Sequence, residues 1–443
     1  MSDAMNPASA PGEISASPAP APAGAPDRAG NSVRAALRQL PGNPLRTFCI
    51  CLLVWTFVNF EQSMFAYAMP AMSADLGISI GTTGLIISLG FGFAIIGALG
   101  AGLLTDRLGR RTMLALCFSV SSSFYALQAL AGGAATLGLA RSMGAGISAG
   151  LSPITNSYVA EAAPSRIRAL MVGFLQIGFP LGWFIASLIA VPLLASYGWR
   201  TIFLTSVLGL PLGWLIHRSI RETVRFEAVR ARAINKRPLR AQLGELLEPG
   251  ARRRTILCVL AFLTKGGAYA GLAFYMPIFL HEVRGYDAAT AAHVVGASYG
   301  IGILGYLGAS IVGEFLLSRK LTIIIWCWLG ALALLAFIWL PAAPWQDVIA
   351  CGAMAIFSFG TSAILTTFVL EQFPTRLRAT GASCASASVS LGFAIFPVVV
   401  AALVGPVGWQ WAITLCVAPL LVLSGVAVLG MRDVPAGADM DDI

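Results

Sequence analysis

Apolar residues in this chain come in long unbroken runs, not in the alternation expected of a half-buried strand. Twelve such runs lie at 47–71, 82–104, 112–131, 136–160, 169–194, 200–217, 255–280, 291–317, 321–340, 347–370, 379–404 and 409–430. Each holds about 18–27 residues, enough at about 1.5 Å per residue to cross a hydrocarbon layer of about 30 Å. Within that layer the backbone must satisfy its own hydrogen bonds, which a continuous helix does. A barrel would instead show alternating segments of about ten residues. The pattern predicts an all-α membrane protein of twelve transmembrane helices.

The polar segments divide these runs into two sets of six. Residues 1–44 are rich in Ala, Pro, Ser and Gly, with no apolar core of a signal peptide, and read as a disordered cytoplasmic tail. A six-helix bundle is expected over 45–217, a basic cytoplasmic linker over 218–254, a second six-helix bundle over 255–431 and a short acidic tail over 432–443. In the linker, Val224, Ala228 and Ala231 recur at helical spacing among basic residues, as in a connector helix lying on an anionic lipid surface. The two halves resemble each other. Glu161 begins EAAPSRIRA, and Glu371, 210 residues later, begins EQFPTRLRA; at the same offset Gly198-Trp199 returns as Gly408-Trp409. Internal repeats of this kind mark transporters that alternate between two halves.

Composition agrees, with 57% hydrophobic and only 11% charged residues. The net charge of +9 would suggest nucleic acid if spread over a soluble domain, but its placement says otherwise. Of 29 Lys and Arg, 25 fall in the tails and in alternate connections, and the opposite connections hold only Arg200 and Arg284. Basic short loops stay on the cytoplasmic side, which places both termini inside. The eight cysteines lie in or beside the apolar runs without metal-ligand spacing and read as small packing residues. No metal site, cofactor signature, GxxxxGK[ST] element or Ser/His/Asp grouping is found, and the three histidines are scattered. An enzyme is therefore not expected. The expected partners are a small-molecule substrate, protons and the lipid bilayer, for a chain acting as a monomer.

Between the second and third runs the sequence reads GLLTDRLGRR, with Gly102, Asp106, Arg107, Gly109, Arg110 and Arg111. A connection this short is a tight turn, and Gly109 supplies its backbone freedom. This segment resembles the signature G-x-x-x-D-R-x-G-R-R of the major facilitator superfamily, and the twelve runs, central linker and repeated halves extend the resemblance over about 45–432. The resemblance implies a cytoplasmic gate built from Asp106 and Arg110, joined by Glu161, Arg168, Glu371 and Arg378. The second copy, GEFLLSRK, keeps Gly313, Glu314, Arg319 and Lys320 at altered spacing. LARSMGAGISAG resembles the family's R-x-x-x-G-x-G element with one residue fewer after Arg141. The end of the first run is similar to the aromatic-acid:proton and sugar-acid symporter branches, although Glu61 is the one acid in that region.

Three ionisable residues lie well inside the runs: Glu61, Arg141 and Lys265. Each costs about 2.5–3.5 kcal/mol at a helix centre on insertion scales, so each should face a cavity or a partner. Lys265 is about 16 Å into the seventh run at 1.5 Å per residue, too deep for its side chain to reach the surface. It reads as the counter-charge of an anionic substrate or as half of a structural ion pair. Glu61 and Arg141 sit at compatible depths for pairing. Either they form a static pair, or a substrate anion at Arg141 releases Glu61 to take a proton. Gln176, Tyr269 and Ser386 are further candidates for the substrate site, with Tyr275, Tyr299 and Tyr306 and with Ser383 and Ser390 on the Ser386 face.

Two cations against one titratable acid favour proton-coupled symport of a small organic carboxylate, in a bacterial inner membrane. A proton-driven exporter is the alternative suggested by Gly178, Pro180 and Gly182 in the fifth run. A non-transporting receptor that kept the fold is the other.

Overall fold

A computed structural model describes residues 43–163, 168–220, 244–340, 343–373 and 378–433. The N-terminal tail, most of the basic linker and the acidic tail lie outside the described residues. Every described regular element is helical.

The first half comprises α1 (Asn43–Leu76), α2 (Ile80–Leu108), α3 (Arg110–Leu127), α4 (Ala134–Ser148, resuming as Leu151–Ala162), α5 (Arg168–Leu175 and Gly178–Tyr197) and α6 (Trp199–Leu204 and Gly209–Ser219). The second comprises α7 (Pro249–Ala273 and Met276–Arg284), α8 (Ala288–Ile311), α9 (Arg319–Trp339), α10 (Pro344–Leu370) and a final helix, Arg378–Leu429. That final helix folds back at Gly408 (φ 78°, ψ 167°) and so supplies both α11 (378–407) and α12 (409–429). Ten described helices are long and apolar enough to cross a membrane, the last of them spanning 46 residues. With α4 counted across its break and the last helix divided at Gly408, the crossings number twelve.

Local chemistry sets the element ends. Ser79, Ser318 and Asp287 cap α2, α9 and α8 by accepting backbone N–H groups of the first turn. Gly109 (φ 91°) is the entire connection between α2 and α3, a conformation that disfavours any side chain. The seventh helix starts at Pro249 instead of 255, because Pro is well tolerated in a first helical turn. Arg252, Arg253 and Arg254 are therefore helical.

The pairing of helices repeats. In the first half α1 packs on α5, α2 on α4 and α3 on α6; in the second, α7 packs on α11, α8 on α10 and α9 on α12. The halves meet along α2 with α11 and α5 with α8, which are exchanged by the same pseudo-two-fold. Both cross-half seams are tightest near one end. A Cβ on Gly84 of α2 would lie 2.7 Å from Ala401 Cβ of α11 and 2.7 Å from the Tyr275 hydroxyl, and one on Gly296 of α8 would collide with Ser187 of α5. That end is the one farthest from the basic connections. We refer to the end that carries Arg110, Arg319 and both described chain ends as the basic face, and to the other as the sealed face.

Candidate functional site

Between the seal and the basic face lies a cavity of about 180 Å³ at the seam of the halves. Gln176 and Phe179 of α5 form its first-half wall, and Lys265 and Tyr269 of α7 lie opposite. Tyr306, Ser362 and Thr366 add hydroxyls from α8 and α10. Lys265 stands sixteen residues after the start of α7, about 24 Å along its axis. Its side chain is buried, and its ammonium has no hydrogen-bond partner among the described residues. A cation so placed is costly unless a ligand supplies the counter-charge.

Aromatic rings line and back the same space. Tyr269 is in edge contact with Phe179 at 5.2 Å and Phe359 at 5.1 Å, and stacks on Phe393 at 5.5 Å. Behind it Tyr299 stacks between Trp183 (4.6 Å) and Phe359 (5.3 Å). The Tyr269 and Tyr299 hydroxyls are 3.0 Å apart, and the Tyr67 hydroxyl donates to the Trp183 carbonyl at 2.9 Å. The tyrosine hydroxyls are thus tied within the wall, and the rings pack on one another as a continuous aromatic backing to the cavity.

Of the residues singled out from sequence, Lys265, Gln176, Tyr269 and Tyr306 come together at this cavity. Arg141 and Ser386 do not. Ser386 is exposed one turn nearer the basic face, on the side of α11 that presents Val389 and Phe393 to the cavity. Arg141 is 1% exposed and lies over the Phe65, Phe274 and Tyr125 rings at 4.6, 5.5 and 5.9 Å. Its Nη1 donates to the Gln62 carbonyl at 3.3 Å. The expected pairing of Glu61 with Arg141 is not formed. The Glu61 carboxyl is fully buried and turns toward the Ser122 and Ser206 hydroxyls of the α3–α6 seam, without a hydrogen bond of good geometry. The guanidinium is held by the Gln62 carbonyl and by ring faces, while its Nε has no hydrogen-bond partner among the described residues. Phe179, Trp183, Phe359 and Phe393 escape sequence reading, because an aromatic residue inside an apolar run looks the same whether it meets lipid, core or ligand.

At the basic face, Arg110 forms an ion pair with Glu161, and Arg319 forms the equivalent pair with Glu371. Each pair stays within one half. Arg319 takes in the second half the place that Arg110 holds in the first, despite the altered spacing of its motif. Arg111 Nε donates to the His217 carbonyl at 2.7 Å. The side chains of Asp106, Arg107, Arg168, Glu314 and Arg378 lie outside the described residues.

At the sealed face the repeated Gly-Trp has a matching role in each half. Gly198 and Gly408 both turn with φ 78°. Trp199 Nε1 donates to Asp75 at the end of α1 (3.1 Å), and Trp409 Nε1 donates to Glu282 at the end of α7 (2.6 Å). Arg200 completes the first contact with an ion pair to Asp75 at 2.6 Å.

Comparison with known proteins agrees with this architecture. The chain is 27% identical over 343 residues to a probable 4-methylmuconolactone transporter of Cupriavidus pinatubonensis, covering 76% of this chain and 78% of that protein. It is 26% identical over 375 residues to a niacin transporter of Acinetobacter baylyi, covering 79% and 84%. The crystal structure of a D-xylose-proton symporter superposes with a TM-score of 0.69 at 18% identity, over 89% of this chain and 98% of that one. The sequence pattern of the Major Facilitator Superfamily matches residues 51–383. Two pseudo-symmetric six-helix halves around a central cavity, with that match over most of the length, make this chain a secondary transporter belonging to the Major Facilitator Superfamily.

Proposed function

We propose that this protein is a proton-coupled symporter of small, flat organic carboxylates. The observation that carries the reading is the Lys265 ammonium, buried without a hydrogen-bond partner among the described residues in an aromatic-walled cavity shared by both halves. A carboxylate would neutralise it, and a conjugated ring or ring-like body would fill the space beside Tyr269, Phe179 and Phe359. Two relatives are named as a probable 4-methylmuconolactone transporter and a niacin transporter, which supports a small cyclic organic substrate.

In this reading the basic face is cytoplasmic by the distribution of Lys and Arg, in a bacterial inner membrane. The close approach at Gly84 and Gly296 supports reading this arrangement as closed on the outer side. Arg110–Glu161 and Arg319–Glu371 hold the cytoplasmic ends of each half, and gating charges from both halves would meet when that side closes. Glu61 is the proton carrier. It has no cationic partner among the described residues and faces only the Ser122 and Ser206 hydroxyls, so a bound proton is the cheapest way to keep it there. It acts through the α1, α3 and α6 packing, not through contact with substrate.

The test is uptake into proteoliposomes of a panel of labelled aromatic and aliphatic acids, with and without an inward proton gradient. Accumulation of a cyclic carboxylate that requires the gradient supports the reading. Gradient-independent uptake, or a preference for neutral or cationic solutes, overturns it.

A further inference from the structure

The seventh helix enters the bilayer through three consecutive arginines, and the twelfth leaves it beside them. A groove of about 450 Å³ is lined by Pro249, Arg252, Arg253, Ile256 and Leu257. A second, of about 210 Å³, lies between the start of α7 and the end of α12. It shares Pro249, Arg253 and Leu257 and adds Arg254 and Arg432. Four guanidinium-bearing residues therefore line two adjoining grooves, and no carboxylate does so among the described residues. Lys320 adds a cation close by, its Nζ donating to the Met431 carbonyl at 2.8 Å.

Topological anchoring by itself needs only charge, not a groove. Here the charges border an apolar wall. Ile256, one turn deeper than Arg252, is 51% exposed, and Leu257 lies between both grooves. Arg252 and Arg253 are exposed and take part in no ion pair among the described residues. Cations at headgroup depth above apolar side chains match the two-part chemistry of a phospholipid. They do not match that of a free anion, which would gain nothing from Ile256 and Leu257.

We propose that the α7–α12 junction binds an anionic glycerophospholipid, its phosphate held by Arg253 with Arg252 and Arg432 on either side, and an acyl chain lying along Ile256 and Leu257. The site depends on the membrane placement alone and not on the substrate. It sits at the entry of the helix that carries Lys265.

The experiment uses the full chain purified in mild detergent and exchanged into mixed phosphatidylglycerol and phosphatidylcholine. Retained lipid is counted by native mass spectrometry, and affinity is read from lipid titration. Each charge removed, in Arg253→Gln, Arg432→Gln or Arg252→Gln, is expected to weaken phosphatidylglycerol binding about fivefold. Arg253→Lys should retain most of it. Arg218→Gln, at the basic end of α6 where the guanidinium lies 4.4 Å over Trp214, should leave it unchanged. Inorganic phosphate at millimolar concentration should not displace the lipid. Wild-type binding in both Arg253→Gln and Arg252→Gln, equal loss in Arg218→Gln, or displacement by inorganic phosphate overturns the site. So does phosphatidylglycerol binding that emerges only after residues 434–443 are removed, since the acidic tail would then be the occupant.

Discussion

Replacing Lys265 by Met removes the charge while keeping a straight side chain of similar length in the 180 Å³ cavity. Two effects of opposite sign follow. If the ammonium holds the substrate carboxylate, the variant loses a charge-assisted hydrogen bond of about 1.5–3 kcal/mol, or about 10- to 150-fold in apparent affinity. The empty protein, however, is relieved of a buried cation without a partner, whose placement at mid-bilayer costs up to about 2.5–3.5 kcal/mol on insertion scales. Lys265→Met should therefore transport poorly and melt at or above the wild-type temperature. The assay pairs initial uptake rates over a range of substrate concentration with thermal unfolding, each with and without substrate. The stabilisation that substrate gives the wild type should vanish in the variant. A variant that melts well below wild type would mean that Lys265 is half of a structural pair, since breaking such a pair leaves the other charge buried. An unchanged KM would remove Lys265 from the binding site altogether.

Three further outcomes follow from the geometry. Glu61→Gln mimics a permanently protonated carboxyl, so counterflow exchange should persist while uphill accumulation and its dependence on external pH disappear, measured in the same vesicles; accumulation at wild-type level would remove Glu61 from coupling. Gly296→Val places a branched side chain where Ser187 already packs, so the sealed face should fail to close, with about a 5- to 150-fold fall in uptake on the scale of core overpacking of 1–3 kcal/mol; labelling of a cysteine introduced at Ser187 from the sealed-face side should rise in parallel. Trp409→Phe removes the one described side-chain hydrogen bond to Glu282 and should lower stability by about 1 kcal/mol, seen as an earlier thermal transition. Trp199→Phe should do less, because Arg200 still holds Asp75.

The membrane class, the helix count and the two-fold repeat are legible in the sequence because each rests on a local rule. A helix in lipid must be apolar over its whole length, and this chain's runs meet that rule wherever they start. The repeat is equally plain, and the structure gives both of its copies matching contacts: Glu161 and Glu371 each pair with an Arg that opens the third helix of its half, and Trp199 and Trp409 each reach back to a carboxylate at the end of α1 or α7. Lys265 is visible for a related reason, since a charge deep in an apolar run stands out against its neighbours.

What the sequence could not determine was direction around the helix axis. Glu61 and Arg141 lie at compatible depths, yet depth does not say which way a side chain turns, and the two find separate environments. Ser386 shares a helical face with Val389 and Phe393 but lies one turn below the cavity. The aromatic wall is the clearest case. In a soluble protein an apolar face is distinguished from a polar one, but a transmembrane helix is apolar on all sides, so Phe179, Trp183, Phe359 and Phe393 carry no signal of what they face. The sequence by itself determined that helices cross and where a buried charge must be accommodated. Only the packing of α5, α7, α8, α10 and α11 against one another decided which side chains share the cavity, because that choice depends on rotation and contact between helices, to which a one-dimensional pattern of apolar residues is indifferent.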